Sequence, residues 1–216
     1  MARTLNGTVS DLLRANRVAA FDVADDFTFA AWVKRASSGT IHGIFNVQSD
    51  GTGYLRYGAD NKLALIQSNV VQIVASTVTV TDSAWHHTAT TKTGATFKLY
   101  LDGSDVTAAG ANATCVTATN PLTVGGDGFG AGSIREFFNG RIAEVCLWGS
   151  ALTASEIKSL SVGASPVFVH PDDLRGYWPL FGNSVEPSYA PSSNDLTVTG
   201  TTVSNHPGVM PGLGMR

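Results

Sequence analysis

The sequence predicts an all-β fold, an antiparallel jelly-roll sandwich with one short helix. Short segments rich in Val, Ile, Thr, Phe and Tyr recur along the 216 residues, and Gly, Asn and Asp turn residues separate them. One stretch, after residue 152, carries clear helix-start chemistry. Helices and strands do not alternate along the chain, which excludes a parallel α/β sheet.

Composition narrows the function classes. The chain has the length of one β-sandwich domain, and its 43% apolar content argues against disorder. A net charge of −3 gives no basic footprint for nucleic acid. No run of 18 apolar residues exists, so we expect no membrane insertion. The N-terminus lacks the long apolar core of a signal peptide, so we expect synthesis in the host cytoplasm without a coded export route.

The N-terminal part of the chain contains one strand with a clear pattern. Residues 1–17 fit either a helix start at Leu12-Leu13 or turns around a short strand, and residues 18–22 are predicted to form a strand. In the segment FTFAAWVKR (27–35), side chains alternate between the two faces of the predicted strand. One face carries Phe27, Phe29, Ala31 and Val33, and the other carries Thr28, Ala30, Trp32 and Lys34. This period of two predicts a half-buried antiparallel strand.

The central part predicts a series of short strands joined by turns. The strands are expected at 43–48, 54–57, 62–67, 70–75 and 77–81. Segments 85–92 and 95–102 are expected to form a hairpin across Thr93-Gly94, and residues 122–124 form a strand before the glycine-rich loop 125–132.

The segment 135–160 predicts a turn, a strand and the helix. Asn139-Gly140 is a turn signal, because both residues tolerate positive φ. The mostly apolar run 142–148 then predicts a strand. Thr153 and Glu156 have the spacing of a capping box, in which each side chain bonds to the other residue's backbone N–H.

Several stretches together resemble the laminin-G-like domains of the concanavalin-A-like lectin/glucanase superfamily. The resemblance extends from about residue 3 to about residue 160, and its motifs are FTFAAWVKR at 27–35, WHHTA at 85–89, LYLDG at 99–103, VGG at 124–126 and FFNGRIAEVCLWGSALTASEI at 137–157. Ala143 stands where the family usually has Asp, Glu144 is kept, and Cys146 replaces a commonly basic residue. The resemblance implies a lectin-like sandwich.

The opening hairpin of the family is displaced in this chain. Family members usually begin with a strand like G-x-W-P-L, followed by a polar loop and a Leu-Thr-Val strand. Here these motifs occur at 176–180 and 194–198. We interpret the C-terminal segment as that hairpin, relocated by circular permutation; the alternative is an unrelated extra hairpin. The permutation predicts that 174–180 pairs with the 137–148 strand and that Trp178 is buried.

These assignments give the expected domain organisation. Residues 1–203 are predicted to form a single laminin-G-like domain, which residues 174–203 complete. Residues 204–216 are predicted to form a C-terminal tail that orders by docking on a neighbouring subunit or another virion protein; the alternative is a disordered terminus.

No catalytic or metal-binding residue is predicted. His86 and His87 are adjacent on a strand and face opposite ways, so each is interpreted as a structural histidine. Superfamily glucanases place catalytic glutamates close together on one strand, whereas Glu136 and Glu144 are separated by a predicted turn. The glycine-rich loop 125–130 lacks the Lys and the following helix of a phosphate loop.

Calcium and sugar contacts stay open. Related lectin domains bind calcium with loop carboxylates, but the loop candidates here also suit plain turns: Asp50, Asp60, Asn61 and Asp127. The aromatic residues that could stack on sugars are Tyr54, Tyr57 and Phe129, and core packing explains most of them. Cys146 is expected to be a buried free thiol, although a bridge to Cys115 is possible. No cofactor is assigned, and no ligand-binding residue is known at this point.

Three hypotheses for function remain. The first is a non-enzymatic virion structural protein, a phage capsid decoration or adhesion component that contacts the major capsid protein or cell-surface glycans as a homo-oligomer. This hypothesis reconciles two expectations: a lectin-like fold normally works outside cells, yet this chain is expected to lack an export signal. The second is a soluble carbohydrate-binding lectin module. The third, a glycoside hydrolase, is disfavoured because no carboxylate pair is evident.

Overall fold

The computed structural model describes residues 1–8, 10–16, 21, 25–46, 54–67, 71–109, 121–129, 133–191 and 194–206. Within these residues the chain forms two antiparallel eight-stranded sheets, a two-stranded hairpin and one α-helix. The sheets pack face to face as a sandwich, which confirms the predicted jelly-roll class.

The elements are numbered in chain order. The strands are β1 (Ala2–Asn6), β2 (Leu12–Ala15), β3 (Phe27–Arg35), β4 (His42–Asn46), β5 (Tyr54–Tyr57), β6 (Lys62–Gln67), β7 (Val71–Thr79), β8 (His86–Thr93), β9 (Thr96–Leu101), β10 (Ser104–Asp105), β11 (Leu122–Val124), β12 (Asp127–Phe129), β13 (Ser133–Arg135), β14 (Asn139–Trp148), β15 (Leu174–Trp178), β16 (Val185–Glu186), β17 (Leu196–Thr199) and β18 (Thr202–Ser204). The helix α1 is Ala154–Ser161, and short 3₁₀ turns follow at Pro166–Phe168 and Pro171–Asp173.

Sheet A is arranged around β14, which has neighbouring strands on both sides. Its strand order is β10-β9-β8-β3-β14-β1-β18, and β15 also pairs with β14. β3 occupies one side of β14, so β1 and β15 share the other side, with β1 on its first half and β15 on its second. Sheet B has the order β16-β17-β2-β11-β4-β5-β6-β7, and β12-β13 is a separate hairpin.

The main core lies between the two sheets. The predicted alternation of β3 holds, because Phe27, Phe29, Ala31 and Val33 all belong to this core. The Phe29 ring stacks on Phe45 of sheet B with 3.7 Å between ring centroids. Burying aromatic rings of this size contributes on the order of 2–3 kcal/mol each, so this layer holds the sheets together.

A second apolar cluster covers part of the outer face of sheet A. Ile157 and Leu160 of α1 pack there on Cys146, Trp148 and other residues of the sheet. Thr28 Oγ1 donates to the Ser150 carbonyl and accepts from the Leu152 N–H, both at 2.8 Å. The outer set of β3 is therefore half covered: Thr28 and Ala30 are buried, and Trp32 and Lys34 stay partly exposed.

The predicted capping box is confirmed at the start of α1. Thr153 Oγ1 accepts from the Glu156 N–H at 3.3 Å, and the Glu156 carboxylate accepts from the Thr153 N–H at 2.7 Å. Gly163 follows the helix with a positive φ of 97°. The helix is thus specified locally at both ends.

The predicted turn at Asn139-Gly140 is wrong, because both residues lie inside β14. Asn139 and Gly140 pair with β1, and Gly140 also pairs with Arg35 of β3. Gly140 is required there for a different reason than a turn. A Cβ at this position would overlap the Lys34 carbonyl oxygen of the neighbouring strand.

Three other expectations changed or fall outside the described residues. The segment around Leu12 is a strand, and the two strands predicted at 70–75 and 77–81 form one strand, β7. Of the strand predicted at 18–22, only Phe21 is described; its ring meets Trp178 edge-on at 5.6 Å.

Among the described residues, no helix is long and apolar enough to cross a lipid bilayer.

The C-terminal segment completes both sheets. β15 pairs with β14 in the register Val145–Trp178 and Cys146–Tyr177, as predicted. Trp178 is 0% exposed, and its indole N–H donates to the Asn194 carbonyl at 2.8 Å. β17 pairs with β2. β18 pairs with β1, and Ser204 at its end lies opposite Ala2. The circular permutation itself stays a prediction, as do the boundaries at 203 and 204.

Candidate binding face on sheet A

The part of the outer face of sheet A that α1 leaves uncovered has a regular layout. Thr4, Arg141 and Lys34 lie directly opposite one another on β1, β14 and β3. One row further along the strands, Ala143, Trp32 and His87 are opposite one another. We call this surface the open face.

Glu144 lies at an irregularity in β14, beside the open face. The register with β3 shifts between Ala143 and Cys146, which marks a β-bulge, and Glu144 has a φ of 50°. Positive φ is unusual for a residue with a Cβ, and bulges often reorient a side chain next to a functional site. At this point β14 also changes its partner from β1 to β15.

Two groups contact the Glu144 carboxylate. The Tyr177 hydroxyl donates to Oε2 at 2.6 Å, and His206 Nε2 lies 3.3 Å from Oε1. Burial raises the pKa of Glu144 to about 7, although the bond from Tyr177 and the positive charge of the amino terminus oppose this rise. The same burial raises the pKa of Tyr177 and of the Cys146 thiol. Near neutral pH the carboxyl is therefore divided between its two protonation states.

A small pocket connects Glu144 to Trp32. Glu144, Trp32, His87 and Cys146 line it, and it has room for about one water molecule. The His87 and Trp32 rings meet edge-on at 5.5 Å. Burial lowers the pKa of His87 to about 4, so the ring is neutral, and its Nδ1 has no hydrogen-bond partner among the described residues. The pocket is too small for a sugar ring.

Exposed aromatic rings extend from the other side of Glu144. Tyr177 lies 6.3 Å from the ring of Tyr189, which meets Phe181 edge-on at 5.7 Å. Tyr189 is 53% exposed and Phe181 is 39% exposed. We call these three residues the aromatic edge. Because Glu144 binds the Tyr177 hydroxyl, it fixes the inner ring of this edge.

The structure separates the two glutamates considered from the sequence. Arg56 of sheet B binds Glu136 through both carboxylate oxygens at 2.8 Å, and the Glu136 carbonyl accepts from the Gly43 N–H. Glu144 instead faces Tyr177 and His206 beside sheet A. The two carboxylates thus have different partners on different sheets.

The histidines and the described loop residues have structural roles. His86 lies between Asp82 and Asp102, at 2.8 Å from each, and these carboxylates raise its pKa despite partial burial. The Asn61 side chain accepts from the Gly39 N–H, and that of Asp60 accepts from the Lys62 N–H. Each of these residues stabilises a turn or a strand end.

Other predicted positions are buried or lie outside the described residues. Tyr57 is buried beneath Arg35, whose guanidinium lies 4.3 Å from the ring centroid, so it cannot stack on a sugar. Cys146 is a buried free cysteine, as predicted. Within the described ranges no group of three His, Cys, Asp or Glu residues could hold a metal ion. The positions that lie outside the description are Asp50 and Cys115 and the side chains of Tyr54, Asp127 and Phe129.

Four residues around Glu144 were not predicted as site residues from the sequence: Tyr177, Tyr189, Phe181 and His206. The available signal was Glu144 itself, a carboxylate inside the apolar run 142–148. A charged residue in such a run needs a buried partner, and Tyr177 supplies it through the β14–β15 pairing.

Solved structures show the same fold at low sequence identity. A Bacteroides ovatus protein for which carbohydrate binding has been suggested is 17% identical with a TM-score of 0.68, and the match covers 93% of this chain and 58% of that one. A heptameric SAP-like pentraxin from Limulus polyphemus is 16% identical with a TM-score of 0.56, over 74% of this chain and 81% of that one. At these identities the likeness shows the fold alone.

A carbohydrate-binding module is also among the similar structures. The CBM40 of the Ruminococcus gnavus IT-sialidase, bound to α2,3-sialyllactose, is 15% identical with a TM-score of 0.51, over 64% of this chain and 83% of that one. A search of curated proteins gave no match.

A family model supplies the assignment that these structures cannot. The laminin-G-like model described as the concanavalin A-like lectin/glucanases superfamily matches residues 6–158, which is more than half of the chain. The match includes most of α1 as well as β3 and β14, which carry Lys34 and Arg141 of the open face. The chain therefore belongs to the laminin-G-like domains of the concanavalin A-like lectin/glucanases superfamily.

Proposed function

We propose that this chain is a non-enzymatic carbohydrate-binding module that binds sugars at the aromatic edge and the adjoining open face. The observation that carries the proposal is the aromatic edge. In it the exposed Tyr189 ring lies between the exposed Phe181 ring and Tyr177, and a buried carboxylate accepts from the Tyr177 hydroxyl.

The chemistry of this edge suits a sugar. Aromatic rings offer flat apolar surfaces to the C–H faces of a pyranose, and nearby polar groups fix its orientation. Tyr189 and Phe181 supply the exposed surface, and Trp32 adds a partly exposed ring on the open face. Glu144 acts as a positioning residue, because it orders Tyr177 beneath Tyr189.

The carboxylates favour binding over hydrolysis. Glycoside hydrolases need two carboxyl groups about 5–9.5 Å apart on either side of the bond that is cleaved. Glu136 is engaged by Arg56 of sheet B, whereas Glu144 is enclosed beside sheet A. This arrangement supports a module that binds glycans without turnover.

Two similar structures support the same class of ligand. Carbohydrate binding has been suggested for the Bacteroides ovatus protein, and the Ruminococcus gnavus module is bound to sialyllactose. This chain spans 58% of the Bacteroides protein, so the comparison extends to the module and not to that whole protein.

We expect Tyr189→Ala to weaken binding of the best glycan on an array roughly tenfold, because stacking of one exposed ring contributes about 1 kcal/mol or more. Isothermal titration would give Kd for both proteins. Phe168→Ala is the matched control, since Phe168 is 68% exposed on the 3₁₀ turn after α1. Equal losses in both variants, or no glycan bound by the wild type, would contradict the proposed site.

The virion role predicted from the sequence is a more specific version of this proposal, in which the carbohydrate-binding module is part of a phage particle. As a capsid decoration or adhesion component, the module would bind cell-surface glycans while anchored to the major capsid protein as a homo-oligomer. The Limulus pentraxin is heptameric, which supports the idea that this fold can assemble into an oligomer. Co-sedimentation with phage particles and light scattering test the role. A monomer that binds glycans but no particle would retain the lectin function and exclude the virion role.

A further inference from the structure

Two cations lie side by side on the open face, and neither has a partner among the described residues. Lys34 of β3 lies directly opposite Arg141 of β14, and Thr4 of β1 lies opposite Arg141 on the other side. Both cations are partly exposed, and neither side chain forms an ion pair or a hydrogen bond with a described residue. Like charges directly opposite each other destabilise a sheet, so this pair costs stability unless an anion is bound.

Three other arginines of the sheets are used to hold the fold together. Arg3 pairs with Glu186, Arg56 with Glu136, and Arg35 covers the Tyr57 ring and donates to the Val80 carbonyl. Lys34 and Arg141 differ from these arginines because they are partly exposed and no described residue supplies a counter-charge.

The two cations line an open cleft of about 330 Å³. Its wall also contains Thr4, Asn6, Ser83 and Asn139, which offer hydroxyl and amide groups. Trp32 is two residues before Lys34 on the same face of β3, a separation of about 6.6 Å along the strand. A ligand in the cleft therefore extends naturally toward a partly exposed indole.

We propose that Lys34 and Arg141 bind the anionic group, a carboxylate or a sulfate, of an acidic glycan whose next sugar lies beside Trp32. This inference rests on the proposed carbohydrate binding and names its ligand class. Arg offers a planar fork of donors that matches a carboxylate or sulfate, and Lys adds a point charge. The overall charge of −3 and the small number of cations in the cleft disfavour nucleic acid, which presents a long array of phosphates.

The experiment compares acidic and neutral forms of the same sugars. The probes are 3′-sialyllactose against lactose, tetragalacturonate against its methyl ester, and a sulfated against a desulfated chondroitin tetrasaccharide. We expect the wild type to prefer at least one acidic member over its neutral form, more strongly at low salt. The carboxylate and sulfate pairs identify which anion the cleft takes. Lys34→Gln and Arg141→Gln should each weaken that binding roughly tenfold and leave neutral glycans unaffected.

Arg14→Gln is the matched control, because Arg14 lies on sheet B and its loss changes the net charge equally. It should retain acidic-glycan binding. Equal binding of acidic and neutral members overturns the anion site but leaves the proposed function intact, whereas binding of no glycan overturns both. Equal losses in Arg14→Gln and Arg141→Gln, or tighter binding to a DNA oligonucleotide than to every glycan, would also overturn the acidic-glycan site. Thermal unfolding of each variant confirms that a lost affinity is not a lost fold.

Discussion

Replacing Glu186 with glutamine is expected to lower the free energy of unfolding by about 3–5 kcal/mol, because it leaves the buried Arg3 guanidinium without its counter-charge. Arg3 Nε donates to Glu186 Oε1 at 2.7 Å, and the Gly182 N–H donates to the same oxygen at 2.8 Å. Both side chains are almost fully buried. Arg3 also donates to the Asn183 carbonyl, so its charge cannot turn outward without losing further bonds.

The Arg3–Glu186 pair fastens the N-terminal strand to the C-terminal segment. Urea unfolding at pH 7 would measure the effect, with Asp172→Asn as the control, since that exposed carboxylate should change stability by no more than about 0.5 kcal/mol. The double variant Arg3→Met with Glu186→Leu removes both charges and is expected to be more stable than Glu186→Gln alone. A loss below about 1 kcal/mol in Glu186→Gln would show that water reaches Arg3.

Local sequence signals predicted the elements that local chemistry determines. The alternation in 27–35, the hairpin at Thr93-Gly94 and the capping box of α1 all depend on residues close in the sequence. The strand break predicted near residue 76 failed for a tertiary reason. Ser76 is buried within β7, where its hydroxyl accepts from the Leu63 N–H and donates to the Val78 carbonyl. The polar Ser76, which suggested the end of a strand, therefore has both of its hydrogen bonds inside the sheet.

The candidate site depends on pairings that the sequence does not reveal. Thr4, Lys34 and Arg141 lie far apart in the chain and meet only because β1, β14 and β3 pair in one register. Asn139-Gly140 illustrates the same limit, since the glycine that suggested a turn instead allows the close approach of β3. Tyr177 likewise reaches Glu144 from 33 residues away through β15.

Glu144→Gln is expected to change the pH dependence of stability, because burial raises the folded-state pKa of Glu144 to about 7 from an ordinary value of 4.5. The folded state therefore holds this proton more tightly than the unfolded state. The resulting stability is fully present below pH 4.5 and is lost as the pH rises through about 7. The loss amounts to about 3 kcal/mol, since each pKa unit corresponds to about 1.4 kcal/mol.

Glutamine cannot ionise, yet its amide oxygen can still accept from the Tyr177 hydroxyl. The variant should thus be up to about 3 kcal/mol more stable than the wild type at pH 8, with this advantage shrinking toward pH 5. Urea unfolding at several pH values would measure the difference between the two proteins. His42 and His87, whose pKa values burial lowers to about 4, contribute stability that is lost as the pH falls below about 6.5. They titrate in both proteins, so their effect cancels in the difference.

Glu136→Gln distinguishes a specific effect of Glu144 from a general effect of removing negative charge. Glu136 is ion-paired with Arg56, so its replacement should give no gain in stability at pH 8. A difference between Glu144→Gln and wild type that stays constant from pH 5 to pH 8 would contradict the raised pKa. If the gain at pH 8 is found, the ionised carboxylate is retained at a cost in stability, as expected for a group that a binding site requires. Glycan affinity should be measured in the same variant, because a more stable protein that binds more weakly would show that the ionised Glu144 supports binding through Tyr177.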